Sequence, residues 1–377
     1  MKIKVLKYKK LKTKNKMTKV YYLAELSLPN TSAYAQHVLK MCDNLSKYYD
    51  TTLILINNNS SFTKLKKDYL LKKKFKIISL SKYRNSNFFK RIILGIKTKN
   101  IISGDSLVIS RSIISALILS LFKKKCFLEI HHGLNGLTNV FFKLLKNTKY
   151  FNYIYFIIIN KKLLSILGLK KNFVILDDAV EIKDFKGIKA KKIKYQFTYA
   201  GSLYPGKGIE IIENLSKKFK HYKFHIFGDY SNLDIFKYKK TKNLVFHGFI
   251  SYKMLIKVLK ESKYLLMPYL NQISANSKNL EISEFISPLK LFQYLAARKV
   301  IFASKLVAYN HILKNKFNCV LNAADNIREW ENNLRNLKKI NNKRLSDNAY
   351  KTAKIYTWEK RVKKIIRIFN ERRFNVY

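Results

Sequence analysis

Residues 287–304, SPLKLFQYLAARKVIFAS, constrain this chain more than any other stretch. They read as loop, helix, turn and strand in immediate succession. Ser287 is a good helix N-cap, and Pro288 suits the first helical position, where its missing N–H costs nothing. Leu289, Phe292, Leu295 and Ala296 recur at spacings of three and four, which predicts one apolar helix face. Val300, Ile301, Phe302 and Ala303 then form the short apolar run of a buried parallel strand. A helix opening at the mouth of such a unit is an anion site, because its first N–H groups point outward and its dipole favours negative charge. Lys290 falls in that first turn, where a helix built only for stability would more often carry Asp or Glu. A surface lysine on an ordinary helix is the plainer reading of the same residue.

The alternation of strand and helix extends along the chain. Residues 19–26 (KVYYLAEL) read as a first strand, 33–47 as a helix with Ala35, Val38, Leu39, Cys42 and Leu45 on one face, and 51–56 as a second strand. Further strands are expected at 75–80, 106–110, 126–130, 153–159 and 172–176, with helices at 113–122 and 140–145. A Lys-rich polar linker, 181–194, follows. A second series then has strands at 195–200, 223–227, 243–247 and 264–268, and helices at 208–218 and 253–262. Beyond the unit at 287–304 come a last strand at 318–321 and helical segments at 327–338 and 345–369. This pattern predicts an α/β chain of two doubly wound parallel sheets with a cleft between them. In such sheets ligands bind outside the carboxyl ends of the strands.

Composition narrows the class. The 377 residues carry a net charge of +53, and 47% of them are hydrophobic, enough for full cores. The charge fits adhesion to nucleic acid or to an anionic membrane surface. It also fits compositional drift, since the lysines are spread along the chain and Asn, Ile and Tyr are heavily used with them. Cys42, Cys126 and Cys319 lie far apart among apolar residues and read as reduced core thiols of a cytoplasmic protein. Residues 1–16 hold eight lysines and no acid, without the apolar stretch of a secretion signal, and read as a basic tail. The run 153–159, YIYFIII, is too short to span a bilayer and reads as a strand.

Five further segments carry polar chemistry at strand ends. YAGSLYPGKG (199–208) places Gly201, Ser202 and Lys207 between a strand and a helix, a pattern suited to a diphosphate. Gly228 follows the strand at 223–227, and Gly248 follows the one at 243–247. EIHHG (129–133) sets His131 and His132 at a strand end, without an acid or cysteine spaced for a metal cage. LPNTSAYAQHVLKMCD (28–43) offers Asn30, Ser32 and Tyr34 in a loop, and His37 as a helix residue with satisfied partners. Arg111 ends the strand at 106–110, and its fork suits phosphate or carboxylate.

Taken together and in order, these segments resemble the retaining glycosyltransferases of GT-B family 4. SPLKLFQYLAA is similar to the family's SPLKLFEYMAA helix, YAGSLYPGKG to YxGSLYxWKGVD, EIHHG to the ExHD or ExHG turn, and YTWEKR (356–361) to YSWEKRA. Departures are Gln293 for Glu, Arg298 for Gly and Val300 for Pro. Of the family's two glutamates separated by seven intervening residues, neither is matched: the positions hold Phe285 and Gln293, with Glu284 and Glu281 nearby.

The resemblance implies a GT-B fold with a basic tail (1–16), an acceptor-side domain (17–180), a linker (181–194), a nucleotide-sugar domain (195–355) and a helix (356–377) that crosses back to the first domain. It implies transfer from a nucleotide-diphosphate sugar to a saccharide or lipid-linked acceptor, with retention and without a metal or other cofactor, as in bacterial cell-surface polysaccharide synthesis. His131 would help hold the transferred sugar, and Lys207 would contact donor phosphate. Gly201, Ser202, Gly228, Gly248, Ser287, Pro288, Leu289, Lys290 and Gln293 would line the donor, and Asn30, Ser32 and Arg111 the acceptor side. A cytoplasmic enzyme, peripheral on the inner membrane face and without nucleic-acid partners, is expected. Two alternatives remain: a nucleotide-sugar epimerase on the same fold, and a degenerate basic protein that binds membrane or RNA.

Overall fold

Strands that are apolar on both faces need helices above and below, and the chain supplies them in alternation. A computed structural model describes residues 19–80, 88–190, 192–230, 238, 241–274 and 283–372. The basic tail expected at 1–16 and Glu281 lie outside the described residues. The first half runs β1 (Lys19–Leu28), α1 (Ala33–Leu45), β2 (Asp50–Asn58), α2 (Phe62–Tyr69), β3 (Lys76–Ser79), α3 (Phe88–Ile101) and β4 (Leu107–Ser110). It continues with α4 (Ile113–Leu121), β5 (Cys126–Ile130), α5 (Gly136–Lys146), β6 (Ile154–Ile158), α6 (Lys161–Leu167) and β7 (Phe173–Ile175). The second half runs α7 (Ile182–Gly187), β8 (Tyr195–Ala200), α8 (Ile209–Lys218), β9 (Phe224–Phe227), β10 (Leu244–Phe246), α9 (Tyr252–Glu261) and β11 (Ser262–Met267). It closes with α10 (Leu289–Ala296), β12 (Val300–Ser304), β13 (Val320–Asn322), α11 (Ile327–Arg335), α12 (Asn342–Ala353) and α13 (Trp358–Arg372).

Two parallel sheets result, with strand orders β3-β2-β1-β4-β5-β6-β7 and β10-β9-β8-β11-β12-β13. Each order reverses once, between β1 and β4 and between β8 and β11, which opens a crevice at the carboxyl ends of those strands. One face of the first sheet packs α1, and α13 returns to it through Trp358, Val362 and Ile365. The other face is covered by α3 to α6. In the second sheet, α9, α10 and α12 cover one face, and α8 and α11 the other.

The expected strands all form, with boundaries shifted by one or two residues at most ends. Three helices form beyond those named from the spacing, α2, α3 and α6. In α2 the buried face is only Leu65 and Tyr69, one turn apart. The expected linker is not featureless: α7 buries Ile182 and Phe185, and Asp184 receives Lys40 at 2.6 Å and the Tyr252 hydroxyl at 3.2 Å. The helix expected over 345–369 is two helices. The backbone between them pairs with the first half, Val180 N–H donating to Tyr356 at 3.0 Å and Trp358 N–H to Val180 at 3.4 Å, and this pairing breaks the helical ladder.

Return of α13 also delivers Arg361 to a buried carboxylate. Its guanidinium donates to Glu129 at 2.7 Å and to the Leu176 carbonyl at 2.6 Å, and both side chains are sealed from solvent. Removing one partner of a buried pair strands the other charge. Arg361→Met is therefore expected to cost about 3–5 kcal/mol, and Glu129→Gln added to it should recover part of the loss. Thermal unfolding of the two variants checks this; a single variant as stable as the parent contradicts it.

Candidate functional site at the facing strand ends

Lys290 is the centre of the second sheet's crevice. Gly201 ends β8, and its N–H donates to Phe227 at 2.8 Å, while Gly228 N–H donates to Gly248 at 2.9 Å. Three adjacent strands thus end in glycines whose backbones lie close together. The Lys290 chain lies in the space a side chain at Gly201 would fill, since a Cβ there would stand 2.7 Å from Nζ. The ammonium sits 3.5 Å above the Tyr199 ring and 5.1 Å from Tyr269, and Lys207 lies 4.8 Å over the same Tyr269 ring. Both lysines are buried. Among the described residues, Lys290 Nζ has no hydrogen-bond partner. Burial, and then the neighbouring Lys207 charge, push its pKa well below the ordinary lysine range. The aromatic rings partly offset this, but a buried ammonium without an acceptor is half of an ion pair.

The helix that carries Lys290 has an open N-terminus. Pro288, not Ser287, is the N-cap, with φ −77° and ψ 130°, and no side chain caps the first turn. Pro288 holds extended backbone here, and the Ser287 hydroxyl is turned toward the other half, where it accepts the Asp178 N–H at 3.2 Å. The expected capping role of Ser287 is therefore replaced by a bridge across the cleft. Leu289 packs into the core cluster of the first half. Gln293 is buried and donates to the Gln36 side chain of α1 at 3.2 Å. Tyr294 accepts the Ala200 N–H at 2.8 Å and so ties α10 to the end of β8.

Across the cleft, His131 leaves β5 and meets Asp178, with Nδ1 3.8 Å from the carboxylate. Its Nε2 is buried without a hydrogen-bond partner among the described residues. Burial, the Arg111 charge and His37 hold its pKa well below the usual histidine range, so the ring is neutral at neutral pH. Behind it, His37 sets Nδ1 2.7 Å from Asp178 and Nε2 3.2 Å from Glu129, with its ring edge-on to His131 and Trp358. Burial raises the Glu129 pKa, but His37 and Arg361 together outweigh it and hold the carboxyl well below its usual range. Ligand atoms of His37, Glu129 and His131 lie within 4.8 Å of one another, a spacing a metal could use. The lone pairs are already committed, however: Glu129 also accepts from Tyr22 and Arg361, and both His37 nitrogens face carboxylates. The His37, Glu129 and Asp178 cluster is hydrogen-bonded within itself, and His131 packs edge-on against His37.

The remaining expected residues divide. Arg111 ends β4 at the crevice of the first sheet and lies 4.5 Å over the Tyr34 ring. Asn30 and Ser32 are spent locally, since Asn30 accepts the Ser32 N–H at 2.8 Å and Ser32 caps α1 through the Ala35 N–H at 3.2 Å. Ser202 contributes its carbonyl to the Tyr199 hydroxyl at 2.7 Å. Glu284 is exposed and pairs with Lys162 at 3.0 Å, away from Gln293. His247 stacks on Phe227 at 4.2 Å and lies 2.9 Å from His225, a structural pairing. Glu129 and Arg361 stood in the EIHHG and YTWEKR segments without a role, and Asp178 stood in none. Glu129 had a signal, as the single charge in an otherwise apolar strand, CFLEI.

No protein-family model matches the sequence, and no curated protein is significantly similar to it. Solved structures are similar in fold. A glycosyltransferase from Rickettsia africae superposes with a TM-score of 0.73 at 13% identity, covering 96% of this chain and 100% of that one. HepE from Anabaena, in complex with UDP and glucose, gives 0.68 at 11% identity, covering 94% and 99%. A variant of TarM from S. aureus, in complex with fondaparinux, alpha-GlcNAc-glycerol and UDP, gives 0.63 at 14% identity, covering 94% and 100%. The two facing Rossmann-like sheets are the GT-B fold.

Gly201 and Gly228 both have φ of +148°, but what a side chain would meet differs. A Cβ at Gly228 would lie 2.0 Å from the Gly201 carbonyl oxygen, which is fixed backbone, whereas one at Gly201 meets the end of the Lys290 side chain. Gly228→Ala is expected to lower the thermal midpoint more than Gly201→Ala. Equal or reversed losses would show that the strand ends are less tightly apposed.

Proposed function

We propose that the chain is a glycosyltransferase that takes its sugar from a nucleotide-diphosphate donor held by the second half of the molecule. The observation that carries this reading is Lys290, a buried ammonium without a hydrogen-bond partner among the described residues, at an uncapped helix N-terminus in a topological switch point. A diphosphate satisfies all three features at once: it pairs with the ammonium, accepts the free N–H groups of α10 and answers the helix dipole. Lys207 adds a second cation near the shared Tyr269 ring. As the glycosidic bond to the donor breaks, charge grows on the departing phosphate, and these preorganised groups stabilise it without reorienting.

His131 faces this site from the first half. A neutral imidazole with an unpartnered Nε2 can hydrogen-bond a sugar hydroxyl, and the His37–Asp178 pair holds the ring in place. Arg111 and Tyr34 border the acceptor side. The acceptor is a saccharide or lipid-linked sugar, and the role is bacterial cell-surface polysaccharide synthesis, with retention at the anomeric carbon and without a metal. The fold's presence in transferases whose structures contain UDP supports a uridine nucleotide as the first donor to try. An epimerase on the same fold would release free sugar-nucleotide isomers without an acceptor, so product analysis separates the two.

Lys290→Met separates a ligand-holding lysine from a structural one. If the ammonium waits for an anion, the variant gains about 1–3 kcal/mol of stability by losing an unpaired buried polar group, and it loses about 10–100-fold in UDP affinity. A destabilised variant with unchanged UDP affinity in calorimetry would refute the donor site.

The pH dependence follows from the same residue. The free-state pKa of Lys290 is depressed and a bound diphosphate raises it, so binding takes up a proton between the two values. UDP affinity is then constant below the free-state pKa and falls by up to about tenfold per pH unit above it, until the bound-state pKa is passed. Calorimetry in buffers of different ionisation enthalpy reads the proton directly; its absence contradicts the coupling.

A further inference from the structure

Two helices on one face of the first sheet present apolar side chains to solvent. On α5, Leu137, Val140 and Leu144 recur along one side and are 64%, 53% and 69% exposed. On α3, Phe89, Ile93 and Ile96 do the same at 72%, 46% and 43%. Both helices belong to the same layer and flank α4, which is buried over residues 113–120 and ends in the exposed Phe122, with Lys99 of α3 4.7 Å over its ring. A soluble surface helix turns its apolar side inward; these two have apolar residues on both sides, Phe142 and Leu145 facing the core of α5 and Leu94 that of α3.

Charge states what covers the face. Residues 88–171 contain fifteen Lys and Arg but only two acids, Asp105 and Glu129, and Glu129 is buried against Arg361. Neither α3 nor α5 contains an acid, and Lys97 and Lys143 are exposed between the apolar positions. A protein partner would need an apolar stripe bounded by carboxylates. A second copy of the chain would bring the same positive charge to its own face and be repelled. An anionic lipid surface offers phosphates above an apolar layer, in the order in which lysine ends and apolar chains would meet them.

We propose that the outer face of α3 and α5 docks on a bilayer that contains anionic lipid, with the exposed apolar chains in the headgroup region and the lysines on lipid phosphates. The strand end bearing His131 leads directly into α5, so docking brings the cleft to the membrane. Delivery of a lipid-borne acceptor there rests on the transferase reading; the docking itself rests on this face alone.

Sedimentation of the full chain with phosphatidylcholine vesicles, with and without phosphatidylglycerol, tests it. Binding is expected only with phosphatidylglycerol and should weaken with salt. Leu137→Asn with Leu144→Asn should weaken it about tenfold or more, and Lys97→Glu with Lys143→Glu by about the same factor, both with unchanged thermal midpoints. Parent-like sedimentation of both double variants would overturn the proposal and leave binding to the basic composition at large. A parent that self-associates without lipid, and is monomeric once Leu137 and Leu144 are replaced, would overturn it in favour of a second copy. UDP calorimetry on the same proteins keeps the two readings apart: vesicle binding without UDP binding sinks the donor site alone, and the reverse sinks the docking face alone.

Discussion

A carboxylate inside a parallel sheet has to be neutralised by groups that no single local element can supply. Glu129 is that carboxylate, and its partners come from β1 (Tyr22), α1 (His37) and α13 (Arg361). The last of these lies 232 residues away in sequence. Satisfying one charge therefore requires the first sheet, its leading helix and the end of the chain to meet at one point. This is why the terminal helix belongs to the first half of the molecule, and why the backbone breaks helix at 354–357 to pair with Val180. His37 is held by the same charge, and through Asp178 it fixes what His131 can face.

The two halves treat buried charge in opposite ways. In the first, Glu129 is saturated with donors, and Lys40 is closed by Asp184 at 2.6 Å. In the second, Lys290 is also buried and carries only aromatic faces. A buried ion without a counterion is costly, and a protein with tyrosines at 199 and 269 around that lysine could have placed an acid there. The cost is tolerated where a ligand supplies the missing charge. Saturation on one side and deficit on the other separate scaffold from site more sharply than any pocket outline.

Much of this was legible in the sequence because strand ends and glycines are local signals. The runs at 195–200 and 300–303, the glycines at 201, 228 and 248, and Lys290 after Pro288 all stand where local chemistry put them. Legibility failed where a residue's role is set by a distant partner. Ser287 has the chemistry of a cap and is used as a bridge, because Asp178 of the other half needs an acceptor for its N–H. Arg361 stood at the end of the YTWEKR segment without a role of its own; the return of α13 is what sets it against Glu129. Helices α2 and α3 were hidden because neither shows a single apolar face: α2 buries only Leu65 and Tyr69, and α3 carries apolar residues on its exposed side as well.

Gln293 joins these themes. The family resemblance assigns a carboxylate to its position, one able to accept from two hydroxyls at once. Here the side chain donates to Gln36 across the cleft at 3.2 Å, beside the Ser287–Asp178 bridge. A glutamate in its place would add an unpaired buried charge to a contact between two amides. A glutamine can exchange Gln36 for a sugar hydroxyl as one neutral hydrogen bond for another, a difference of about 1 kcal/mol or less. The amide thus trades grip on a ligand for a contact between the halves that a ligand can displace. On this reading the donor's hold rests on the lysines, and Gln293 contributes a contact between the halves.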